Sequence, residues 1–407
     1  MLIAQLGKFV IPLITFPYLT RVLGLETYGI YVLGLAIATY LSMVTQYGFN
    51  LSSVSEVSKN RHSNVFLGEI ILSVLISQLI LFLITTILMI LILENIQIEK
   101  QYKLVFYCFI FTVLGNIILV QWFHQGLERM ASVAGYIIFG RIASIPLIFM
   151  LVKEPNDAWL AALLHSVGIL LAGLISVIFA AKRVSFSIKS ITWVKIRSCY
   201  VESTPFFFTN AASTLYTQSV PLIVGAVSGA ASVGIYNVAQ VFRNIAVNLL
   251  EAILQTIFPR SIKYHQEDLT KLNAFIRKYL LICSMICLFG IFITISLSDY
   301  LVLFAAGPEY YEASSVLIIL ICSVLIGLLN NFLGVQTLVP RGYKSEFSKV
   351  VVIAGAVSLP ITGFLTSFYG EDGAAFSVLI AESVIFIGLV YLHKRHNIDT
   401  LKFWEKA

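Results

Sequence analysis

Residues 70–93 read IILSVLISQLILFLITTILMILIL, and this stretch decides the fold class. A bilayer core of about 30 Å needs roughly 20 consecutive apolar residues in a helix, and the run is longer than that and carries no charge. A strand of a membrane barrel would instead alternate apolar and polar residues over about ten positions, which these residues do not do. The stretch therefore predicts a transmembrane α-helix.

Similar runs fill the rest of the chain. Of its 407 residues, 58% are hydrophobic and 12% are charged, whereas about a quarter of residues are charged in a typical soluble domain. We expect an all-α integral membrane protein with twelve transmembrane helices. The predicted helices cover residues 2–20, 28–49, 65–93, 102–123, 132–152, 158–181, 203–224, 233–257, 279–297, 313–338, 347–368 and 373–392.

The distribution of positive charge predicts the orientation. Of the 27 Lys and Arg residues, twenty lie in loops after even-numbered helices or in the C-terminal tail, and four lie in loops after odd-numbered helices. Positive residues are retained in cytoplasmic loops, so both termini are predicted to be cytoplasmic. The net charge of +6 suits anionic membrane lipids and gives no reason to expect a nucleic-acid partner.

Two lobes are predicted on either side of a basic segment. Residues 182–200 mix five Lys and Arg residues with aromatic and aliphatic ones, a composition typical of a membrane interface. We expect an N-terminal six-helix lobe at 1–181, a cytoplasmic basic interfacial linker at 182–200, and a C-terminal six-helix lobe with a short cytoplasmic tail at 201–407.

A short pattern repeats between the predicted lobes, displaced by 205 residues. Its members are Gly24, Gly29, Ile30 and Tyr31 in the first lobe and Gly229, Gly234, Ile235 and Tyr236 in the second. An even number of helices per lobe gives both lobes the same orientation, which predicts parallel repeats related by a pseudo-two-fold axis along the membrane normal. Such lobes are expected to enclose a central cavity and to work by alternating access.

Several ordered motifs together resemble one family. They are Thr20-Arg21-Val22-Leu23-Gly24, Tyr28-Gly29-Ile30-Tyr31, Gln46-Tyr47-Gly48-Phe49-Asn50, residues 121–128 (QWFHQGLE), residues 233–239 (VGIYNVA) and Phe258-Pro259-Arg260. The chain is identified by them as similar to the Wzx (RfbX-type) polysaccharide flippases, in the superfamily that also holds multidrug exporters and lipid II flippases.

The resemblance implies a substrate, a location and partners. The substrate would be a lipid-linked oligosaccharide, an O-antigen or related repeat unit on undecaprenyl pyrophosphate, moved from the cytoplasmic to the periplasmic leaflet of a bacterial inner membrane. An O-antigen polymerase and a chain-length regulator are the implied protein partners.

Three cations inside apolar runs are the candidate pyrophosphate-binding residues: Arg243, Arg141 and Lys8. Arg243 is expected about 15 Å into its helix, near the bilayer midplane, and its guanidinium matches phosphate oxygens in a bidentate manner. Arg141 and Lys8 are expected about 10–12 Å from cytoplasmic helix ends, where a long side chain can also reach the interface. An ion pair of Arg243 with Glu251 or Glu382 is the alternative to ligand binding.

Uncharged polar residues are candidates for binding sugar. Gln240, Asn244, Asn248 and Gln255 recur at helical spacing and share one face of the eighth predicted helix. This polar stripe would face water and sugar or would hydrogen-bond to a neighbouring helix, and the sequence leaves both open. Tyr236 is a candidate for stacking on a sugar ring.

Two carboxylates bear on energy coupling. Glu382 and Glu251 lie within predicted helices, where a carboxylate can take up a proton on one side and release it on the other. Proton or sodium coupling and simple neutralisation of a nearby cation both remain open. No cofactor or metal is expected, because the chain has neither a phosphate-binding glycine loop nor a cluster of metal ligands.

Rival functions fit the sequence less well. A multidrug or cation-coupled exporter is expected to have an acidic cavity, and lipid II flippases typically have more helices. A membrane-embedded O-antigen polymerase or glycosyltransferase would need a large external loop with catalytic acids, whereas the longest outward connection, around 297–314, is short and holds only three acidic residues, Asp299, Glu309 and Glu312. The sequence therefore predicts a transporter and not an enzyme.

Overall fold

A computed structural model of the protein describes residues 2–186 and 192–398. Within these ranges, the side chains of residues 2–13, 209, 212, 213, 216 and 217 are not described. The described α-helices are α1 Leu2–Gln46, α2 Phe49–Lys59, α3 Asn64–Asn95, α4 Lys100–Ile118, α5 Gln121–Gly126, α6 Met130–Leu151, α7 Ala158–Ala181, α8 Trp193–Ser228, α9 Ala230–Glu267, α10 Leu269–Ser296, α11 Ser298–Ala305, α12 Ala313–Asn331 and α13 Lys344–Arg395. A π-helix, Phe332–Leu338, continues α12.

The helices have the length and composition of membrane spans. Among the described residues, nine helical segments are long and apolar enough to cross a bilayer. The predicted all-α membrane class agrees with this architecture. Helix α9 extends beyond the predicted range 233–257 to Glu267. The charged residues after 257 were expected in a loop, but they form the polar C-terminal end of this helix.

Two of the longest helices are broken by single glycines. Helix α13 has 52 residues, about 78 Å at 1.5 Å per residue, which is far more than one crossing of a bilayer requires. Gly370 interrupts it with φ 55° and ψ −134°. Gly24 interrupts α1 in the same manner, with φ 72° and ψ 175°. The predicted pairs of helices at the two chain ends therefore meet at a kink and not at a polar loop.

The repeated pattern has a structural counterpart in the backbone. Gly229, which the 205-residue repeat pairs with Gly24, has φ 90° and ψ 177° and immediately precedes α9. This region of conformational space is open almost only to glycine, because a Cβ atom would clash with the backbone. Both copies of the pattern thus begin with the same helix-breaking conformation.

The chain divides into two compact units, residues 1–218 and 219–407. The division lies later than the predicted linker at 182–200, because α8 starts at Trp193 and continues without a break through the end of that linker. Residues 187–191 of the predicted linker and 399–407 of the predicted tail lie outside the described residues.

The first unit is built around contacts of α4 and α7. Phe109 and Val113 of α4 and the small residues Ala161 and Ala162 of α7 are all buried, and Thr112 of α4 shares a hydrogen bond of 2.8 Å with Ser166 of α7. Helix α6 approaches α7 so closely that a Cβ atom on Gly140 would overlap the carbonyl oxygen of Gly168. Small residues at such crossings are what allows membrane helices to pack by direct backbone contact.

The second unit is built around α12. Its residues Val316, Leu317 and Leu320 are fully buried and pack between α9 and α13, where Val238 and Ala374 are equally buried. The apolar face of α12 is interrupted by a few polar side chains, and these form the site described next.

Candidate functional site

Arg243 of α9 lies in a polar cluster inside the second unit. Its Nε atom donates a hydrogen bond to Ser323 Oγ of α12 at 2.9 Å. Its Nη2 atom lies 3.4 Å from Glu382 Oε1 of α13 and forms an ion pair. The two charged side chains are 18% and 15% exposed. Since water reaches them only in part, the pair is screened less than a surface salt bridge.

Glu382 is held from a second side by Asn330 of α12. The Nδ2 atom of Asn330 donates to Glu382 Oε2 and to the Glu382 backbone carbonyl, both at 2.9 Å. A Cβ atom on Gly327 would lie 3.6 Å from both carboxylate oxygens, an ordinary van der Waals distance, so α12 packs directly against the carboxylate at this position. The ion pair with Glu382, which the sequence leaves as one alternative for Arg243, is therefore formed. Glu251, the other suggested partner, is exposed on α9.

Tyr236 lies on the same helix as Arg243 and near it. The ring is only 2% exposed, so it is part of the core of this unit. Stacking on a sugar, the role predicted for Tyr236, would require the ring to become accessible.

Arg141 lies farther from the first residue of its helix than the sequence suggests. Helix α6 begins at Met130, so Arg141 stands eleven residues from the start of a helix that has 22 residues, or about 16 Å along its axis. The predicted distance of 10–12 Å from the helix end was too short, because α6 begins at Met130, before the predicted start at 132. Arg141 is thus at the middle of α6, and it has no ion pair among the described residues.

The surroundings of Arg141 are aromatic and polar. Arg141 lies near Tyr31 of α1 and His165 of α7. The Tyr31 hydroxyl and His165 Nδ1 are 3.3 Å apart and share a hydrogen bond, and the Phe109 ring packs against both of their rings. Tyr31 and Tyr236 are equivalent in the 205-residue repeat, so each copy of the pattern places a buried tyrosine near an arginine of its own unit.

The remaining predicted residues are placed as follows. Lys8 lies within α1, but its side chain is outside the described residues. The polar stripe of α9 is accessible along its length, since Asn244 and Gln255 are exposed and Gln240 and Asn248 are partly exposed. Its accessibility agrees with either contact to water and sugar or contact to another polar surface.

Ser323 and the His165–Tyr31 pair were not predicted as parts of a site. Asn330 was recognisable only as one of many amides in apolar runs, and nothing in the sequence links Ser323 to Arg243 across 80 positions. His165 lies next to the Tyr31 hydroxyl, whereas the Nε2 atom of His124 is 3.2 Å from the carbonyl oxygen of Ser176.

Comparison with solved structures identifies the fold. The fold matches the inward-facing structure of a multidrug resistance MATE family transporter with a TM-score of 0.74 over 99% of both chains, at 13% identity. It matches the inward closed structure of the lipid II flippase MurJ with a TM-score of 0.72 over 97% of this chain and 88% of that one, at 14% identity. The chain therefore shares the multi-helix membrane fold of these two structures.

Sequence comparison then identifies the family. The model of the family described as "Polysaccharide biosynthesis protein" matches residues 1–265. A relative from Escherichia coli K12 named "Putative O-antigen transporter" is 31% identical over 397 residues, which cover 97% of this chain and 95% of the relative. A relative of the same name from Shigella dysenteriae is 27% identical over 385 residues, with 93% and 94% coverage. The chain belongs to the polysaccharide biosynthesis protein family.

Two predictions are confirmed by these comparisons. The resemblance to the Wzx polysaccharide flippases, drawn from six short motifs, agrees with the family match and with both relatives. The prediction of a transporter and not an enzyme agrees with the names of the relatives and with the transporter fold.

Proposed function

We propose that this protein moves an undecaprenyl-pyrophosphate-linked oligosaccharide, an O-antigen or related repeat unit, from the cytoplasmic to the periplasmic leaflet of a bacterial inner membrane. The names of the two full-length relatives support the glycan class. Within the chain, the observation that carries the proposal is Arg141, a guanidinium at the middle of a membrane helix with no carboxylate partner among the described residues. A charge at this depth is unfavourable by several kcal/mol and is retained where it meets a ligand or a counter-charge.

Arg141 has the chemistry to bind the diphosphate. Guanidinium donates up to five hydrogen bonds in a planar arrangement that matches phosphate oxygens, and it stays charged at cellular pH. The neighbouring Tyr31 and His165 supply no negative charge, so an anion entering here would meet no competitor among the described groups.

Arg243 would take part after an exchange of partners. In the structure it is paired with Glu382, and phosphate oxygens would compete with that carboxylate for the same guanidinium. Protonation of Glu382 would remove the competing charge and release Arg243 for the ligand. This exchange would couple movement of the lipid to movement of a proton. Lys8 would contribute a third positive charge from α1.

Further polar contacts would serve the sugar. The accessible stripe of Gln240, Asn244, Asn248 and Gln255 offers amide donors and acceptors along about four turns of α9. Amides bind sugar hydroxyls without adding charge, so the stripe would hold different repeat units with modest specificity. Glu251 lies within the same region of α9 and is a second candidate for ion coupling.

We also propose twelve transmembrane helices in two six-helix lobes with both termini in the cytoplasm. Division of α1 at Gly24 and of α13 at Gly370, together with α8, supports this count. The positive charge of the even-numbered loops supports the orientation. Alternating access between lobes and association with a polymerase and a chain-length regulator complete the proposal.

The experiment is deletion of the gene in its native host, followed by identification of lipid-linked sugars in the inner membrane. We expect a completed repeat unit on its lipid carrier to accumulate while surface glycan disappears. Plasmid-borne wild-type protein and an Arg183→Ala variant, which alters an exposed cytoplasmic arginine, should restore display. Arg141→Ala should not restore it at equal protein level.

Other outcomes would contradict the proposal. Normal surface glycan after deletion, with greater sensitivity to cationic drugs, would instead indicate a drug exporter. Accumulation of single repeat units on the periplasmic side would indicate a polymerase.

A further inference from the structure

An apolar groove of about 340 Å³ lies in the second unit. Helices α9, α10, α11 and α12 form its walls, with Phe242, Leu249, Ile286 and Val324 among the lining residues. Leu249 and Ile286 are 65% and 52% exposed, so the groove opens on the surface of the unit. It is a recess between helices and not a closed core cavity.

The lining of the groove offers nothing to a polar ligand. Thr294 has the one polar side chain among the lining residues, and its hydroxyl donates to the carbonyl oxygen of Gly290 at 2.8 Å. A sugar or a diphosphate placed here would lose its hydrogen bonds to water without replacement, which is strongly unfavourable. Hydrocarbon loses nothing on entering the groove and gains contact with the walls.

The groove adjoins the Arg243 cluster on two helices. Phe242 precedes Arg243 on α9, and Val324 follows Ser323 on α12. The same two helices therefore present the guanidinium on one side and the apolar wall on the adjacent side. A molecule that fits both features has an anionic group attached directly to a long hydrocarbon chain.

We infer that this groove binds the polyprenyl chain of the transported lipid while its phosphate group is near Arg243. The inference rests on the proposed function and adds to it a site for the lipid tail. It commits to the carrier lipid and not to a bulk phospholipid, because the wall residues Phe242 and Val324 directly neighbour Arg243 and Ser323 within the span, whereas phospholipid head groups lie at the level of the membrane interface. A tail held here would remain in an apolar setting while the sugar is moved.

Gly290 provides the test. It lines the groove, and a Cβ atom built on it would meet no atom within 4 Å, so a side chain can be started there without a clash at its first atom. Gly290→Phe would occupy the space that the tail needs, and Gly290→Leu would occupy part of it. Gly363 of α13 has the same free space around its Cβ position and does not line the groove, so Gly363→Phe is the matched control.

The probe is undecaprenyl phosphate with a benzophenone on its tail, crosslinked by light to the purified protein in phosphatidylglycerol nanodiscs. We expect labelling of wild type on α9 or α10, which unlabelled undecaprenyl phosphate suppresses and added phosphatidylglycerol does not. If the Phe ring in Gly290→Phe excludes two methylene groups of the lipid tail from the groove, the affinity for undecaprenyl phosphate should fall about tenfold. Gly290→Leu should show a smaller loss, and Gly363→Phe should bind like wild type.

Equal labelling of wild type and both Gly290 variants would overturn the groove assignment while leaving the proposed function intact. Suppression by phosphatidylglycerol as effective as by undecaprenyl phosphate would also overturn it, because the groove would then be a general lipid site. Absence of any specific binding to wild type would count against the proposed function itself, and the inference would fall with it.

Discussion

The ion pair between Arg243 and Glu382 allows a structural role to be separated from a role in transport. We consider three variants: Arg243→Ala, Glu382→Ala and the double variant. If Arg243 serves only to neutralise Glu382, removal of both charges should restore whatever removal of one destroys. If Arg243 binds the diphosphate, the double variant should regain stability and still fail to transport.

The magnitude follows from the geometry. At a separation of 3.4 Å and an effective dielectric constant of about 20, the attraction between two unit charges is about 5 kcal/mol. Desolvation offsets much of it, and loss of one partner of a buried pair costs about 3–5 kcal/mol. Because the side chains are 18% and 15% exposed, we expect a loss near the lower limit, about 3 kcal/mol, for each single variant. The double variant leaves no uncompensated charge, so it should lose less free energy of unfolding than either single variant.

Two assays are needed on the same set of variants. Denaturant titration of the purified protein in mixed micelles gives the free energy of unfolding and the coupling between the two positions. Surface glycan display in a strain that lacks its own flippase gives transport, normalised to the protein level in the membrane. We expect Arg243→Lys to retain part of the display, because it keeps the charge and loses the bidentate geometry.

The reasoning would be refuted by a double variant that restores display together with stability. That result would assign Arg243 to packing and remove it from the binding site. A coupling energy near zero would refute the structural part, because it would mean that the observed pair contributes no net stabilisation.

Three further predictions concern other parts of the chain. Arg141→Ala should abolish glycan display at unchanged protein level, and Arg141→Lys should retain some, because only the charge is preserved. Gly24→Ala and Gly229→Ala should each lower the free energy of unfolding by about 1–3 kcal/mol, since their backbone angles strain any residue with a Cβ atom. Arg61 donates to Glu128 at 2.7 Å and lowers the pKa of that exposed carboxyl. The unfolding free energy should therefore contain a small contribution that is present above the ordinary Glu pKa and is lost as pH falls through the lowered value, and Glu128→Gln should lack it.

Controls make these predictions specific. Gly363→Ala, at a helical glycine with free space, should be neutral or slightly stabilising, and an equal loss at Gly363 and Gly24 would contradict the backbone argument. Display by Arg141→Ala at the wild-type level would remove Arg141 from the site. Identical pH profiles for wild type and Glu128→Gln would show that the surface ion pair has no effect on stability.

The sequence predicts the class and the course of the helices because apolar length is a strong physical signal. The run at 70–93 lies within α3, and the predicted helices on either side of Gly24 and Gly370 correspond to segments of α1 and α13. The repeat of Gly24 at Gly229 was also visible, since only glycine adopts that backbone conformation readily. The extension of α9 to Glu267 was not, because charged residues outside the bilayer are compatible with both helix and loop.

The partners of the intramembrane charges were harder to predict. Periodicity places Arg243 and Glu382 on their helices. Whether Arg243 pairs with Glu251 or with Glu382 depends on which faces of α9 and α13 contact each other, and Arg243 and Glu382 are 139 positions apart in sequence. The depth of Arg141 depended on where α6 starts, and a helix start in a polar loop shifts by several residues without changing the apolar count. Tertiary packing therefore supplies what the sequence pattern leaves open.

The most direct test of the central claim is translocation by the purified protein in proteoliposomes. Lipid-linked repeat unit is placed in both leaflets, and the fraction of sugar that an added glycosidase can reach is measured over time. Wild type should expose nearly all of the sugar, whereas Arg141→Ala and protein-free vesicles should stop near the half that starts in the outer leaflet. Wild-type vesicles that also stop at half, under whatever ion gradient is applied, would contradict the claim.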